Sequence, residues 1–416
     1  MFSAVVIVLS FAAVGAAGWA LYGLYRAMQR TAYELETLVF FLITLGIAVM
    51  SAYAPSSLFK QLIAIALGIA LFLLLGAALR SLRLAQQLRW PVAAAAAALL
   101  AFNVLFGQRI FGAKNWISIG PLSLQPSELV KIAFILAGAA TLDRLFAKRN
   151  LIFTVLFSAY CVGCLALMSD FGTALVFFVA FLCIAFLRTG DLPSIVMMTA
   201  AGFAGGLMLH FKPYIADRFT VWRHAWEFAQ STGYQQTRTM SAVASGGLFG
   251  AGPTDAWLKY VGAANTDLVF GVVSEEFGLL LALCAVAAII LIAVFAITSA
   301  ATARSSFYTI ASCAAAAMLT VQVTLNTLGS VDLLPLTGVT FPFVSMGGSS
   351  MLSCWSLMAF LKAADTRQNA SFALRLPKRR PKTKPEPPKP KPSNGFFDEI
   401  PDIPVDEIFG KEDKPE

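Results

Sequence analysis

The stretch NTDLVFGVVSEEFG, residues 265–278, sets Asp267, Glu275 and Glu276 around an apolar run. Carboxylates are costly in hydrocarbon and persist there when they have a task or a partner. How these three are read depends on whether the run lies in a bilayer. The rest of the chain decides it. Of 416 residues, 58% are hydrophobic and 13% charged, and the mean hydropathy is +0.73. A soluble domain carries about twice that share of charge, roughly 25%. The class is an all-α, polytopic integral membrane helix bundle.

Apolar runs recur at about 3–25, 37–55, 61–79, 91–108, 128–142, 151–168, 172–187, 193–211, 268–298, 307–329 and 341–363. By length these are about eleven spanning segments. Short loops with Arg26 and Arg30, Arg80, Arg83 and Arg89, Arg144 and Lys148, Arg188, and Arg304 alternate with loops poorer in basic residues. Basic loops face the cytoplasm. Segments 109–127, 169–171, 212–267 and 330–340 are then outside, and the C-terminus is cytoplasmic. No basic residue precedes run 3–25, so it reads as an uncleaved helix with its N-terminus outside.

The six cysteines all lie in apolar runs and read as small packing residues. His210 and His224 are the only histidines, too few for a histidine-based metal site. From about 367 the chain turns to LPKRRPKTKPEPPKPKPSNG and then to the acidic FFDEIPDIPVDEIFGKEDKPE. Such a tail cannot build a core. Its basic part suits anionic membrane lipid, and no nucleic-acid-binding motif accompanies it. In the long outer segment, RFTVWRHAWEFAQ (218–230) places Trp222, Trp226 and Phe228 at helical spacing, as an interfacial helix would.

Four clusters can carry chemistry. In GAKNWISIGPLSLQPSELVK (112–131), Lys114 and Trp116 sit in an outer loop, Ser127 is placed to cap a helix, and Glu128 and Lys131 share one helical face. Asp170 in SDFGTAL (169–175) either caps the next helix or meets a substrate. Asp267 ends the outer segment, with Asn265 or Thr266 free to cap the helix beyond. An ionised carboxylate at the outer surface is what a general base requires. Glu275 and Glu276 lie deeper, and one should face the bundle. In TGVTFPFVSMGGSS (337–350), Pro342 and three glycines break regular helix beside Ser345, Ser349 and Ser350. Irregular backbone at membrane depth survives only inside protein or along a cavity.

These four motifs, with YQQTRTMSAVASGGLFGAG (234–252), occur in the order and spacing of the SEDS family of shape, elongation, division and sporulation proteins. The resemblance covers roughly residues 33–365. It implies a ten-helix membrane core at 31–366, an additional N-terminal helix at 1–30, and a tail from 367 onward. It implies polymerisation of lipid II at the outer face of the bacterial cytoplasmic membrane, beside a class B penicillin-binding protein that cross-links the product. Asp267 matches the family's proposed base. Trp116, Glu128, Lys131, Asp170 and Ser349 match other cavity positions, and Glu276 and Ser345 would help shape that cavity. Lys114, Lys131, Arg218, Arg238 or a divalent cation would neutralise the leaving diphosphate; no organic cofactor is implied. This chain departs from the family in VGAAN before Thr266, in Lys259, and in SDFGT. The alternatives are a lipid II flippase and a non-catalytic scaffold.

Overall fold

The computed structural model describes residues 2–110, 112–119, 122–142, 148–209, 213–370 and 372. The chain divides into a unit Met1–Leu374 and a second, Arg375–Glu416. The Pro/Lys-rich and acidic tail, with Arg144 and His210, falls outside the described residues.

The first unit is helical almost throughout. Helices α1 (Phe2–Ala27), α2 (Glu34–Tyr53), α3 (Leu58–Ala78) and α4 (Leu82–Phe106) lead to three short strands. These are β1 (Gln108–Ile110), β2 (Ala113–Ile119) and β3 (Leu122–Leu124). Then come α5 (Pro126–Leu142), α6 (Lys148–Leu167), α7 (Phe171–Thr189), α8 (Leu192–Leu209), α9 (Pro213–Val221) and α10 (Tyr234–Gly246). The chain ends in α11 (Val269–Phe277), α12 (Leu279–Ala301), α13 (Ser306–Ser330) and α14 (Gly348–Ala364). Among the described residues, seven helices are long and apolar enough to cross a membrane by themselves.

Each apolar run of the sequence has a helix, with three corrections and one addition. Run 268–298 is two helices, because Gly278 adopts φ +91° with Leu248 backbone packed where a side chain would stand. Residues 341–347 are irregular, and only α14 after them is helical. Segment 108–124, in one of the loops read as outside, adds a small antiparallel sheet in the order β1-β2-β3 to the all-α bundle. The stretch 218–230 leaves the helix after Val221. Arg223 takes φ +65°, and tight turns carry Trp226 and Phe228 instead of a helix.

α14 lies at the centre, its residues from Ser349 to Ala364 nearly all buried. It packs against α3, α5 and α13. Trp355 on α14 is wholly buried, and a side-chain carbon at Gly68 on α3 would lie 2.5 Å from its ring. Small residues permit such close helix approach in a bilayer, where packing has to replace the hydrophobic effect.

At one end of the bundle the helices are fastened by charge. Lys362 on α14 donates to Glu36 Oε2 at 3.1 Å and to the Ala32 carbonyl at 3.0 Å, with both charged side chains fully buried. Tyr25 at the end of α1 donates to Glu36 Oε1 at 2.9 Å. Arg30 donates to the Gln368 carbonyl at 2.9 Å. The end of α1 and the start of α2 are thereby tied to α14 and the residues after it. At the opposite end, the four segments read as outside converge on one site.

Candidate active site

Asp267 stands just before α11, in a loop whose shape is fixed by its backbone. Ala263 adopts φ +64°, and its carbonyl accepts from the N–H groups of Thr266, Asp267 and Leu268 at 3.1, 2.9 and 3.2 Å. Three successive carbonyls of this loop are then held from the irregular segment and α13. Met346 N–H donates to Asn265 at 2.9 Å, Ser345 Oγ to Thr266 at 2.6 Å, and Asn326 Nδ2 to Asp267 at 2.9 Å. The same Asn326 amide donates to the Val339 carbonyl at 2.8 Å. Gly338, at φ +71°, faces the Asp267 carboxylate; a side-chain carbon there would lie 3.2 Å from Oδ2. The expected caps are not made: neither Asn265 nor Thr266 caps α11, which begins two residues beyond Asp267.

Two cavities meet at this carboxylate. One, about 310 Å³, is bordered by Asp217, Tyr234, Gln235 and Gln236. The other, about 210 Å³, is bordered by Trp116, Gln125, Asp170, Thr340, Ser349 and Ser350. Arg218, Asp267 and Gly338 line both. Burial pushes the Asp267 carboxyl up to about 6; a hydrogen bond from Thr266 and the Arg218 charge pull it down, and the Asp170 charge pushes it up. A carboxylate in that range takes a proton readily at neutral pH and is still ionised beforehand.

Asp170 has both of its anticipated environments. Its Oδ1 accepts from Thr173 N–H at 3.3 Å, capping α7. Its Oδ2 accepts from Asn115 Nδ2 at 2.7 Å and Gln125 Nε2 at 3.1 Å, at the wall of the smaller cavity. Ser349 Oγ accepts from the Gln125 N–H at 3.4 Å. Arg218 donates to the Leu336 carbonyl, which holds its guanidinium over both cavities.

Other candidates serve the scaffold. Lys114 donates to the Val104 and Leu105 carbonyls at 2.7 and 3.0 Å, closing the C-terminal end of α4. Glu128 and Lys131 pair with each other at 2.8 Å in the buried core. Ser127 does not cap α5, which already starts at Pro126. Ser345 links Thr266 to Phe341 N–H, and Arg238 lies over the Tyr234 ring at 5.2 Å. Glu275 accepts from Trp257 and Leu258 N–H at 2.9 and 3.0 Å. Glu276 is buried, and neither carboxylate lines the two cavities. Among the described residues no three histidine, cysteine or acidic side chains gather to hold a metal. The Asp170 carboxylate, at the wall of the smaller cavity, accepts from three protein N–H groups.

The family model described as "Cell cycle protein", covering FtsW, RodA and SpoVE, matches residues 25–370. The chain belongs to this family. A relative from Coxiella burnetii named "Probable peptidoglycan glycosyltransferase FtsW" is 31% identical over 283 residues, 65% of this chain and 76% of that one. A relative from Mycobacterium leprae named "Peptidoglycan glycosyltransferase RodA" is 28% identical over 322 residues, 67% of this chain and 69% of the other. Among solved structures, the crystal structure of Thermus thermophilus RodA superposes with a TM-score of 0.60 at 26% identity. It covers 79% of this chain and 94% of that one. A chain from the study "Structural coordination of polymerization and crosslinking by a peptidoglycan synthase complex" gives 0.66 at 27% identity, covering 79% and 96%. The FtsW/RodA match begins at residue 25, so most of α1 precedes it.

Asn326 is the site residue that sequence reading passed over. It is an amide in an apolar run, and polar side chains at membrane depth are functional or structural by default; it lies outside the four clusters singled out from the sequence. Asn326→Ala leaves two buried carbonyls without a donor, at roughly 1–3 kcal/mol. A misplacement of the reacting group by about 1 Å can cost up to about a hundredfold in rate. The expected result is a drop on the order of tenfold in the activity that depends on Asp267, with the protein still expressed. A parent-like rate would mean that the Ala263 turn holds Asp267 without help.

Proposed function

We propose that this membrane protein polymerises lipid II into glycan strands at the outer face of the bacterial cytoplasmic membrane. One observation carries the reading: a single carboxylate, with its proton affinity raised, stands where two cavities meet. A polymerase must bring an acceptor and a donor to one base. Asp267 takes the proton from the acceptor sugar 4-hydroxyl. The oxygen attacks the donor anomeric carbon, and undecaprenyl diphosphate leaves from the opposite face with its electron pair, inverting that centre. Each cavity receives only the reacting end of its substrate. Trp116 offers an apolar plate to a sugar ring in the smaller one. Arg218, lining both, neutralises charge growing on the diphosphate, an effect that is strong in a partly dry site. The names of the relatives from both lineages support this activity.

A structural neighbour from a study of a peptidoglycan synthase complex that coordinates polymerization and crosslinking supports a partner that cross-links the product, a class B penicillin-binding protein. Purified protein with lipid II should yield polymer, and it should co-purify with that partner. Movement of lipid II between leaflets without polymer would make the protein a flippase; neither activity would leave a scaffold.

A further inference from the structure

The segment between α13 and α14 separates the two cavities at Asp267. Leu336 borders the larger cavity and Thr337 the smaller, and Gly338 lies in the walls of both. This partition, residues 331–340, has no helix or strand of its own. Its shape is therefore set by what grips it. At its far end the Val339 carbonyl accepts from Asn326 Nδ2 at 2.8 Å. Gly172 on α7 leaves room for the same end, since a side-chain carbon there would lie 2.3 Å from the Val339 side chain.

The near end is gripped from the outer segment 218–236, where three side chains reach across and donate. Arg218 donates to the Leu336 carbonyl, Trp222 Nε1 to the Leu333 carbonyl at 3.2 Å, and Gln236 Nε2 to Asp332 Oδ1 at 3.1 Å. Of the three, only the last ends on a side chain. Gln236 itself is buried, 4% exposed, in the wall of the larger cavity.

Asp332 is an uncommon residue for its place. α13 stops at Ser330, and the Leu333 and Leu334 N–H groups donate back to the Leu328 carbonyl at 2.9 and 3.1 Å. Asp332 takes a left-handed backbone in this turn, φ +59°. Glycine usually fills such a position after a helix, because a side-chain carbon is strained in that conformation. Aspartate serves the turn less well than glycine would, and it supplies what glycine lacks, an acceptor for Gln236. An ionised carboxylate only accepts, so it fixes which end of the Gln236 amide faces it.

We propose that Asp332 is a positioning residue: through Gln236 it latches the partition to α10 and so sets the wall between the donor and acceptor cavities beside Asp267. A partition matters only where two substrates meet, so this role rests on the polymerase reading. When the latch opens, Leu336 and the Arg218 guanidinium bonded to it lose their register with Asp267. The loss falls on the alignment of the reacting groups and leaves the grip on the rest of each substrate intact.

The test compares Asp332→Gly, Gln236→Leu and Asp332→Asn with the parent, all full-length and purified in detergent. Glycine removes the acceptor and suits the left-handed backbone, so the turn is kept. Leucine removes the donor from the other side. Asparagine keeps an acceptor and tolerates that backbone. Hydrogen exchange, followed by mass spectrometry, should be at least about tenfold faster at 333–338 in the Gly and Leu variants, a local opening with the other segments as in the parent. In Asp332→Gly the kcat for lipid II polymerisation should fall on the order of tenfold, as for a small misalignment. Its KM should stay within about twofold, the pattern of a contact made in the transition state alone. Asp332→Asn should restore both exchange and kcat. Parent-like exchange in the Gly and Leu variants would overturn the proposal. So would faster exchange with kcat unchanged, or an Asn variant that behaves like the Gly variant. A parent that forms no polymer from lipid II would sink the polymerase reading, and the exchange comparison would still decide the latch. The Gly and Leu variants open it from opposite sides, so failure of one to fold leaves the other decisive.

Discussion

Asp267→Asn should lower lipid II polymerisation about a hundredfold or more, the range for losing a positioned acid–base group. The substitution keeps size and hydrogen-bonding capacity and removes the charge. The loop around it is held through backbone carbonyls that do not involve the carboxylate, so expression and thermal stability should stay near those of the parent. The parent should also show a characteristic pH profile. A base works only when deprotonated, and this one is raised to about 6. Activity should climb as pH rises through that value and level off above it, and the residual rate of the Asn variant should lack that step. Polymer formation measured between about pH 5 and 8 checks both statements. A parent-like rate in the Asn variant would reduce Asp267 to a residue that merely precedes α11, and Asp170 would be the next base to consider.

Lys362→Met should be among the most destabilising single changes outside the site. It leaves Glu36 buried and charged, facing only the Tyr25 hydroxyl. Removing one partner of a buried pair costs about 3–5 kcal/mol, because the remaining charge has no compensation. Replacing both, as Glu36→Leu with Lys362→Met, should recover much of that loss, since an apolar pair of similar volume is often as stable. Thermal unfolding of the purified proteins in detergent measures the difference. If the single and double variants melt alike, the pair is not coupled in the way its geometry implies.

The membrane class and the helices were legible because long apolar runs separated by basic loops leave few alternatives. The convergence of four outer segments followed from the alternation of arginines. Asp267, Asp170, Trp116, Arg218 and Ser349 were named from sequence and do border the cavities. What stayed hidden depends on partners far along the chain. Lys114 looked like a phosphate ligand until the end of α4 supplied it with carbonyls. Ser345 looked like a cavity hydroxyl, yet it accepts from nearby Phe341 N–H and donates to Thr266, 79 residues earlier in the chain. The break at Gly278 escaped hydropathy because apolar residues occur on both sides of it, and the backbone conformation there divides the run. Helical spacing in 218–230 was real as a pattern, but Arg223 turns the chain before the pattern can be used.

The carbonyl bonds that hold the Asp267 loop have a consequence for biogenesis. All of their donors, Asn326, Ser345 and Met346, lie downstream of Asp267 in the chain. A chain made only as far as α12 has the carboxylate and the Ala263 turn but lacks these three donors. The segment that supplies two of them has no helix of its own and leads directly into α14. The full set of bonds around the Asp267 loop therefore closes only after the chain beyond α13 has been made.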